Sequence, residues 1–183
     1  MENRERLIAA VGRLLAAQGS VTLSEVAAEA GVSRATAYRN FDSSDDAILA
    51  YIAAFLDEFE ESTDSVDSLR DLCSVWGRLV ADRGYALVHV RSTEGFLARL
   101  RRSDPVISRI DRVVRRVLAA DAEFAVAEAA HDRAVFVWNA LLDPRELLDL
   151  AEHANTTVEI AADAMTDVLY AALEHKRPAL TDT

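Results

Sequence analysis

The segment from residue 33 to residue 41 holds the side chains best suited to contact a nucleic acid. It carries two arginines and no acid, in a chain whose formal net charge is −11. Guanidinium, hydroxyl and amide groups are common donors to phosphate oxygens and base edges in DNA. The segment supplies these groups through Arg34, Thr36, Tyr38, Arg39 and Asn40. The acidity of the whole chain counts against such a partner, so the hypothesis depends on this local pattern.

Residues able to support catalysis or to bind a metal are few. Cys73 is the single cysteine, so it can neither form an internal disulfide nor complete a multi-thiolate zinc site. The four histidines are scattered, and the motifs of zinc proteases, serine hydrolases and phosphate-binding loops are absent from the sequence. The sequence therefore predicts no enzyme activity, no cofactor and no metal site.

Helices must position these side chains, because apolar residues recur at helical spacing along almost the whole chain. Six glycines and three prolines in 183 residues are too few for the turns of a β-sandwich or barrel. We expect an all-α protein of about nine helices, with four short ones in a head (residues 1–60) and five longer ones in a body (residues 61–183). Gly84 should end or bend one body helix, and residues 85 to about 100 should form another. The last helix should run from Pro144 to about His175.

The first residues of the chain and the length of its apolar runs indicate where the protein is located. The first residues are charged rather than apolar, which argues against a signal peptide. No apolar run approaches the ~18 residues of a membrane span. With a single cysteine, these features predict a cytoplasmic protein.

Residues 22–41 have the pattern of a helix-turn-helix. Thr22 and Glu25 have the spacing of a capping box, and Ser33 can cap the following helix. Between the two short helices lies Gly31, which permits the positive φ of a tight turn. In this arrangement the N-terminal end of the second helix meets base edges, and its amides face a phosphate.

The same segment resembles the DNA-binding head of the tetracycline-repressor (TetR) family. It reads TLSEVAAEAGVSRATAYRNF and is followed by DSSDDAIL. The residues that match the family pattern are Thr22, Val26, Ala27, Ala30, Gly31, Val32, Ser33, Thr36, Tyr38 and Phe41. The resemblance covers roughly the first third of the chain. It implies a helical body that binds a small molecule and dimerises.

The resemblance also implies roles for individual residues. Arg34 lies where the family reads bases, and its guanidinium can bind O6 and N7 of guanine together. Arg39 reaches a base or the backbone. Phosphate contacts are implied for Thr36, Tyr38 and Asn40, and the remaining candidates near the DNA backbone are Ser24, Ser33 and Ser44. Tyr38 could instead be a core aromatic residue, as we expect for Phe41.

Ser44 departs from the family pattern, which usually has a lysine or arginine there. Acidic residues surround it at positions 42, 45 and 46, and the first 50 residues hold five basic and seven acidic side chains. We therefore expect DNA binding with a weaker nonspecific, electrostatic component.

A stripe of mostly small residues in the last predicted helix suggests a dimer interface. Its members follow each other in steps of four and three and are Leu147, Ala151, Ala154, Val158, Ala161, Met165, Val168 and Ala172. This heptad permits close helix packing. We assign Val158, Ala161, Met165, Val168 and Ala172 to the interface between two copies. The alternative is a stripe in the core of one protomer.

Candidate effector contacts are polar or large aromatic residues on otherwise apolar faces of the body. They are Trp76, His89, Arg91, Glu94, Phe96, His131, Trp138 and Asn139. A lone histidine such as His131 is more often a satisfied core or interface residue, and tryptophans such as Trp76 and Trp138 are most often plain core residues. The seven arginines between residues 99 and 116 could form a second nucleic-acid surface, but we expect a solvated helix face.

The sequence thus predicts a homodimeric, ligand-responsive transcription regulator. We expect it to act as a repressor that binds a (pseudo)palindromic operator and is released by a small-molecule effector. Two alternatives remain: a helical interaction or ligand-binding protein whose head no longer binds DNA, and a small helical enzyme.

Overall fold

The computed structural model of the protein describes residues 3–89, 94–121 and 131–174. Within these ranges the chain forms ten helices and no strand, which confirms the all-α prediction. The head contains α1 (Asn3–Gln18), α2 (Leu23–Glu29), α3 (Arg34–Asn40) and the start of α4 (Ser44–Thr63). The body adds α5 (Leu69–His89), α6 (Phe96–Arg101), α7 (Pro105–Ala120), α8 (His131–Leu141), α9 (Pro144–His153) and α10 (Val158–Glu174).

No single helix of the described ranges has both the length and the apolar composition of a membrane span. Only α1 and α2 taken together meet that test, and they are bent by 109° at their junction.

The helix caps predicted from the sequence are present in the helix-turn-helix. The Thr22 hydroxyl accepts from the amide of Glu25 at 3.2 Å, and the Glu25 carboxylate accepts from the amide of Thr22 at 2.8 Å. Gly31 takes a φ of +64° in the turn, where a side chain would be strained. Arg6 of α1 donates to the carbonyl of Ala30 at 2.6 Å, so α1 also supports this turn.

The head and the body have separate hydrophobic cores, and α4 belongs to both. Ala47 and Tyr51 of α4 are buried in the head core, whereas Phe55 and Phe59 are buried in the body core. The change from one core to the other lies inside a continuous helix, without a flexible linker. A shift of α4 in the body therefore displaces part of the head core.

The body is assembled around α5. Trp76 of α5 packs edge-on against Phe55 and Phe59, at ring-centroid distances of 5.9 and 5.3 Å, and its ring lies 5.2 Å from that of Trp138. On another side α10 approaches closely, since a Cβ at Gly77 would lie 2.8 Å from the Cβ of Ala162.

Two predicted helix boundaries are wrong. Gly84 does not end a helix: it is buried within α5, and a Cβ there would lie 3.1 Å from Leu148 of α9. The glycine therefore serves helix packing, and the predicted helix over residues 85–100 is divided between the end of α5 and α6.

The predicted single helix from Pro144 to His175 is instead two helices. Asn155 adopts a φ of +51°, a conformation that asparagine tolerates better than most residues, and the chain turns there. The Thr157 hydroxyl then accepts from the amide of Ile160 at 3.3 Å at the start of α10. The heptad drawn across residues 147–172 is therefore not continuous.

Candidate nucleic-acid interface

Hydrogen bonds among its own side chains organise α3. The Ser33 hydroxyl accepts from the amide of Thr36 at 3.1 Å and lies 2.8 Å from the Thr36 hydroxyl. That hydroxyl also accepts from Nη2 of Arg39 at 3.2 Å. Asn40 donates to the carbonyl of Thr36 at 2.8 Å. Ser33, Thr36, Arg39 and Asn40 thus form one connected group.

The two faces of α3 differ sharply in exposure. Ala37 is fully buried in the head core, and Phe41 just after the helix is 2% exposed, as predicted. Tyr38 is 58% exposed, which excludes a core role for this side chain. Arg34 lies one turn before Tyr38 on the same face. Arg34 is exposed and has no ion-pair partner among the residues that the structure describes.

The other three arginines of the head hold α1 in place. Arg6 binds the carbonyl of Ala30, Arg13 pairs with Glu29 at 2.6 Å, and Arg4 lies 5.2 Å from the centre of the Phe41 ring. The two arginines of α3, Arg34 and Arg39, take no part in these contacts.

Ser24 and Ser44 lie at the starts of neighbouring helices and are half-buried. Ser44 opens α4 next to a cap in which the Ser43 hydroxyl accepts from the amide of Asp46 at 3.1 Å. The Asp46 carboxylate accepts from the amide of Asp42 at 3.1 Å. One of the three nearby acids is thus engaged in capping, a favourable position because carboxylates stabilise helix N-termini.

Residues 7–51 match the family model for bacterial regulatory proteins of the TetR family. The chain carries a TetR-family head. The matched span begins at Leu7 and ends at Tyr51, which are also the first residue of the head core and the last one that α4 contributes to it. This match supports a DNA-binding transcription regulator. No curated protein matches the chain.

The body contains a cavity of about 130 Å³. Of the predicted effector contacts, Trp76, Glu94, Phe96 and Asn139 line it. Trp138 is buried behind Trp76 and His131 lies elsewhere, with its Nε2 buried and no hydrogen-bond partner among the described residues. Arg91 and the side chain of His89 lie outside the described residues.

The residues assigned to the dimer interface share the spacing of one face of α10, but they differ in exposure. Ala161 is 2% exposed and lies in the core of its own protomer, because α10 packs against α5 on that side. Val158, Met165 and Ala172 are half-buried, and Val168 is 46% exposed. Sequence reasoning missed Ile160 on α10 (59% exposed). Packing within the protomer therefore explains the burial of Ala161, whereas it leaves Val168 exposed.

The arginine-rich segment is only in part a solvated face. Arg109 of α7 donates to Glu60 at 2.8 and 2.6 Å and to Asp57 at 2.7 Å, and both acids belong to α4. Arg116 donates to the carbonyl of Thr63 at 2.6 Å, at the end of the same helix. These arginines clamp α7 to α4. The two sides of this contact lie about 50 positions apart in the sequence. No local sequence pattern could therefore have predicted it.

Proposed function

We propose that the protein is a homodimeric, ligand-responsive repressor that binds a (pseudo)palindromic operator and is released by a small molecule bound in the body. The main support for this proposal is that α4 contributes residues to both the head core and the body core. Ile52, Phe55 and Leu56 line the body cavity, while Tyr51, the preceding residue, is buried in the head core. One rigid helix thus contacts both the candidate effector site and the DNA-binding head.

The clamp between α7 and α4 supports the same coupling. Ile107 and Ile110 of α7 line the cavity, and Arg109 between them binds Glu60 of α4. A ligand that displaces α7 would pull α4 with it through this ion pair. The ligand releases DNA only if it binds better to the conformation in which the heads are badly placed.

Dimerisation is proposed from the apolar surface that the protomer leaves uncovered. Ile160 and Val168 of α10 and Phe136 of the neighbouring α8 are 59%, 46% and 47% exposed. Aliphatic and aromatic side chains on adjacent helices are suitable for an interface between two copies. Two heads related by a two-fold axis would meet half-sites one helical turn of DNA apart, or multiples of it.

We propose no catalytic role, in keeping with TetR-family regulators in general. Burial raises the pKa of the Cys73 thiol to about 11, so this cysteine is protonated at neutral pH and a poor nucleophile. A regulator of bacterial transcription acts on DNA, and we accordingly propose the cytoplasm as its location.

Selection of bound sequences from random duplex DNA tests the proposal. The full chain should return an inverted repeat. A single half-site would contradict dimeric binding, and no enrichment would favour an interaction protein whose head has lost DNA binding.

Two arginine variants with the same loss of charge sharpen this experiment. Arg34→Ala should relax discrimination by about 1–3 kcal/mol at one base pair per half-site, because a bidentate guanine contact is lost. Arg13→Ala removes an arginine that pairs with Glu29 and should return the same sequence as the wild type. If both variants keep full discrimination, Arg34 does not read a base.

A further inference from the structure

The body cavity has the size of a single ring. Its volume is about 130 Å³, and an apolar cavity of roughly 150 Å³ in another protein holds benzene. The wall is largely aromatic and aliphatic and includes Phe55, Trp76, Phe96 and Ile107. Such a wall favours a flat apolar group through burial and ring contacts.

Two polar side chains in the wall have unused donors. Arg99 of α6 binds Asp104 through Nε and Nη2, both at 3.1 Å, and its side chain is 16% exposed. Its Nη1 donates to no group among the residues that the structure describes. Asn139 of α8 also lines the cavity. Its side-chain amide makes no hydrogen bond to any residue within the described ranges. Both side chains can therefore donate to a bound molecule.

The charge at this end of the cavity is not fully balanced by Asp104. Its carboxylate also accepts from the amides of Val106 and Ile107 at 3.0 and 3.2 Å, as the N-cap of α7. One negative charge is thus shared between a guanidinium and the positive end of a 16-residue helix. Burial alone would raise the pKa of Asp104, but the hydrogen bonds from Arg99 and from these amides hold it below its ordinary value.

Glu94 is the acidic residue of the cavity wall, and it forms an ion pair with an arginine other than Arg99. Its side chain is 37% exposed and pairs with Arg102, which is 65% exposed. This pair is closer to solvent than the Arg99–Asp104 pair, so water screens its charge more effectively. The better-buried charge in the wall is therefore the positive one on Arg99.

We propose that the cavity binds a single-ring aromatic carboxylate. The ring lies against the aromatic wall, and the carboxylate accepts hydrogen bonds from Nη1 of Arg99 and from the side-chain amide of Asn139. This inference rests on the proposed function, because it names the chemical class of the effector for the same cavity.

Binding of benzoate, benzamide and benzylamine to the full chain tests the proposal, with calorimetry and tryptophan fluorescence near neutral pH. The three probes share one ring and differ in charge. Benzoate should bind at least about tenfold more tightly than benzamide, because a charge-assisted hydrogen bond is stronger than a neutral one. Since Trp76 lines the cavity, benzoate should also change tryptophan fluorescence.

Variants assign the effect to Arg99. Arg99→Gln should weaken benzoate binding by about tenfold or more and leave benzamide within about threefold. Arg99→Lys, which keeps the charge, should retain part of the preference and guards against a general loss of folding. Arg102→Gln removes the exposed arginine that pairs with Glu94 and should leave the preference for benzoate intact.

The outcomes separate this inference from the function on which it rests. Equal binding of benzoate and benzamide, tighter binding of benzylamine, or binding of none of the three would overturn the inference. Operator binding measured in parallel would then still support a DNA-binding regulator. Benzoate that binds through Arg99 without lowering operator affinity would instead leave the inference standing and contradict release by a ligand in this cavity.

Discussion

Replacing Ala161 by glutamate should strongly destabilise the protomer rather than merely separate two copies. The side chain is 2% exposed, on the part of α10 that packs in the body core. Keeping a glutamate there neutral costs about 4 kcal/mol at neutral pH, since each pKa unit is 1.36 kcal/mol. Overpacking adds about 1–3 kcal/mol. The sum is a large part of the 5–15 kcal/mol by which domains are typically stable.

Val168→Glu is the matched control on the same helix. Val168 is 46% exposed in the protomer, so a carboxylate there stays in water and should change protomer stability by no more than about 0.5 kcal/mol. In the proposed dimer the same carboxylate would be buried, which should prevent association. Operator binding should fall with it, because one head makes only half of the contacts.

Circular dichroism melts and sedimentation distinguish the two variants. Ala161→Glu should lower the melting temperature by roughly 10–28 °C for a destabilisation of 5–7 kcal/mol. Val168→Glu should keep the helical spectrum and sediment as a monomer. A helical, stable monomer for Ala161→Glu would show that Ala161 faces a partner, and a dimeric Val168→Glu would show that the exposed face of α10 is not the interface.

Three further substitutions test the head and its connection to the body. Tyr38→Phe should weaken binding to operator and to unrelated DNA by the same factor, about 1 kcal/mol per half-site for a lost phosphate hydrogen bond; a changed sequence preference would contradict this role. Ser44→Lys should strengthen DNA binding and steepen the dependence of log K on log salt by roughly one unit per half-site, whereas an unchanged slope would show that residue 44 does not face phosphate. Arg109→Gln should cost about 1 kcal/mol in urea unfolding at neutral pH, since its partly exposed pair with Glu60 is screened by water. Hydrogen bonds from Arg109 lower the pKa of Glu60, so the contribution of the pair is present above the ordinary glutamate pKa and is lost as pH falls through the lowered one. A difference between variant and wild type that persisted after Glu60 is protonated would exclude this ion pair as its cause.

Short-range features of the head were predictable because each depends on residues a few positions apart. The capping box of Thr22 and Glu25, the cap at Ser33 and the positive φ of Gly31 are all present. The caps by Asp104 and Asp143 before proline are present as well. In each case a side chain and a nearby backbone group determine the local conformation.

Helix boundaries in the body were less predictable because tertiary packing overrides local preference. A glycine commonly ends a helix, yet Gly84 lies inside α5, where its lack of a side chain admits Leu148. The break that does occur is at Asn155, within a stretch whose apolar spacing looked continuous. The distinction depends on what packs against each position, and the spacing of apolar residues does not contain that information.

By itself the sequence determined the all-α class, the helix-turn-helix and its exposed arginines, because periodicity, caps and a local motif encode them. Only the tertiary structure decided that Ala161 is a core residue while Val168 is exposed, since a stripe of small residues packs equally well within a protomer or between two. The same holds for the cavity, the link from Arg109 to Glu60 and the pair of Arg99 with Asp104 beside the aromatic wall. These features bring together side chains from different helices, and their geometry exists only once the helices have packed.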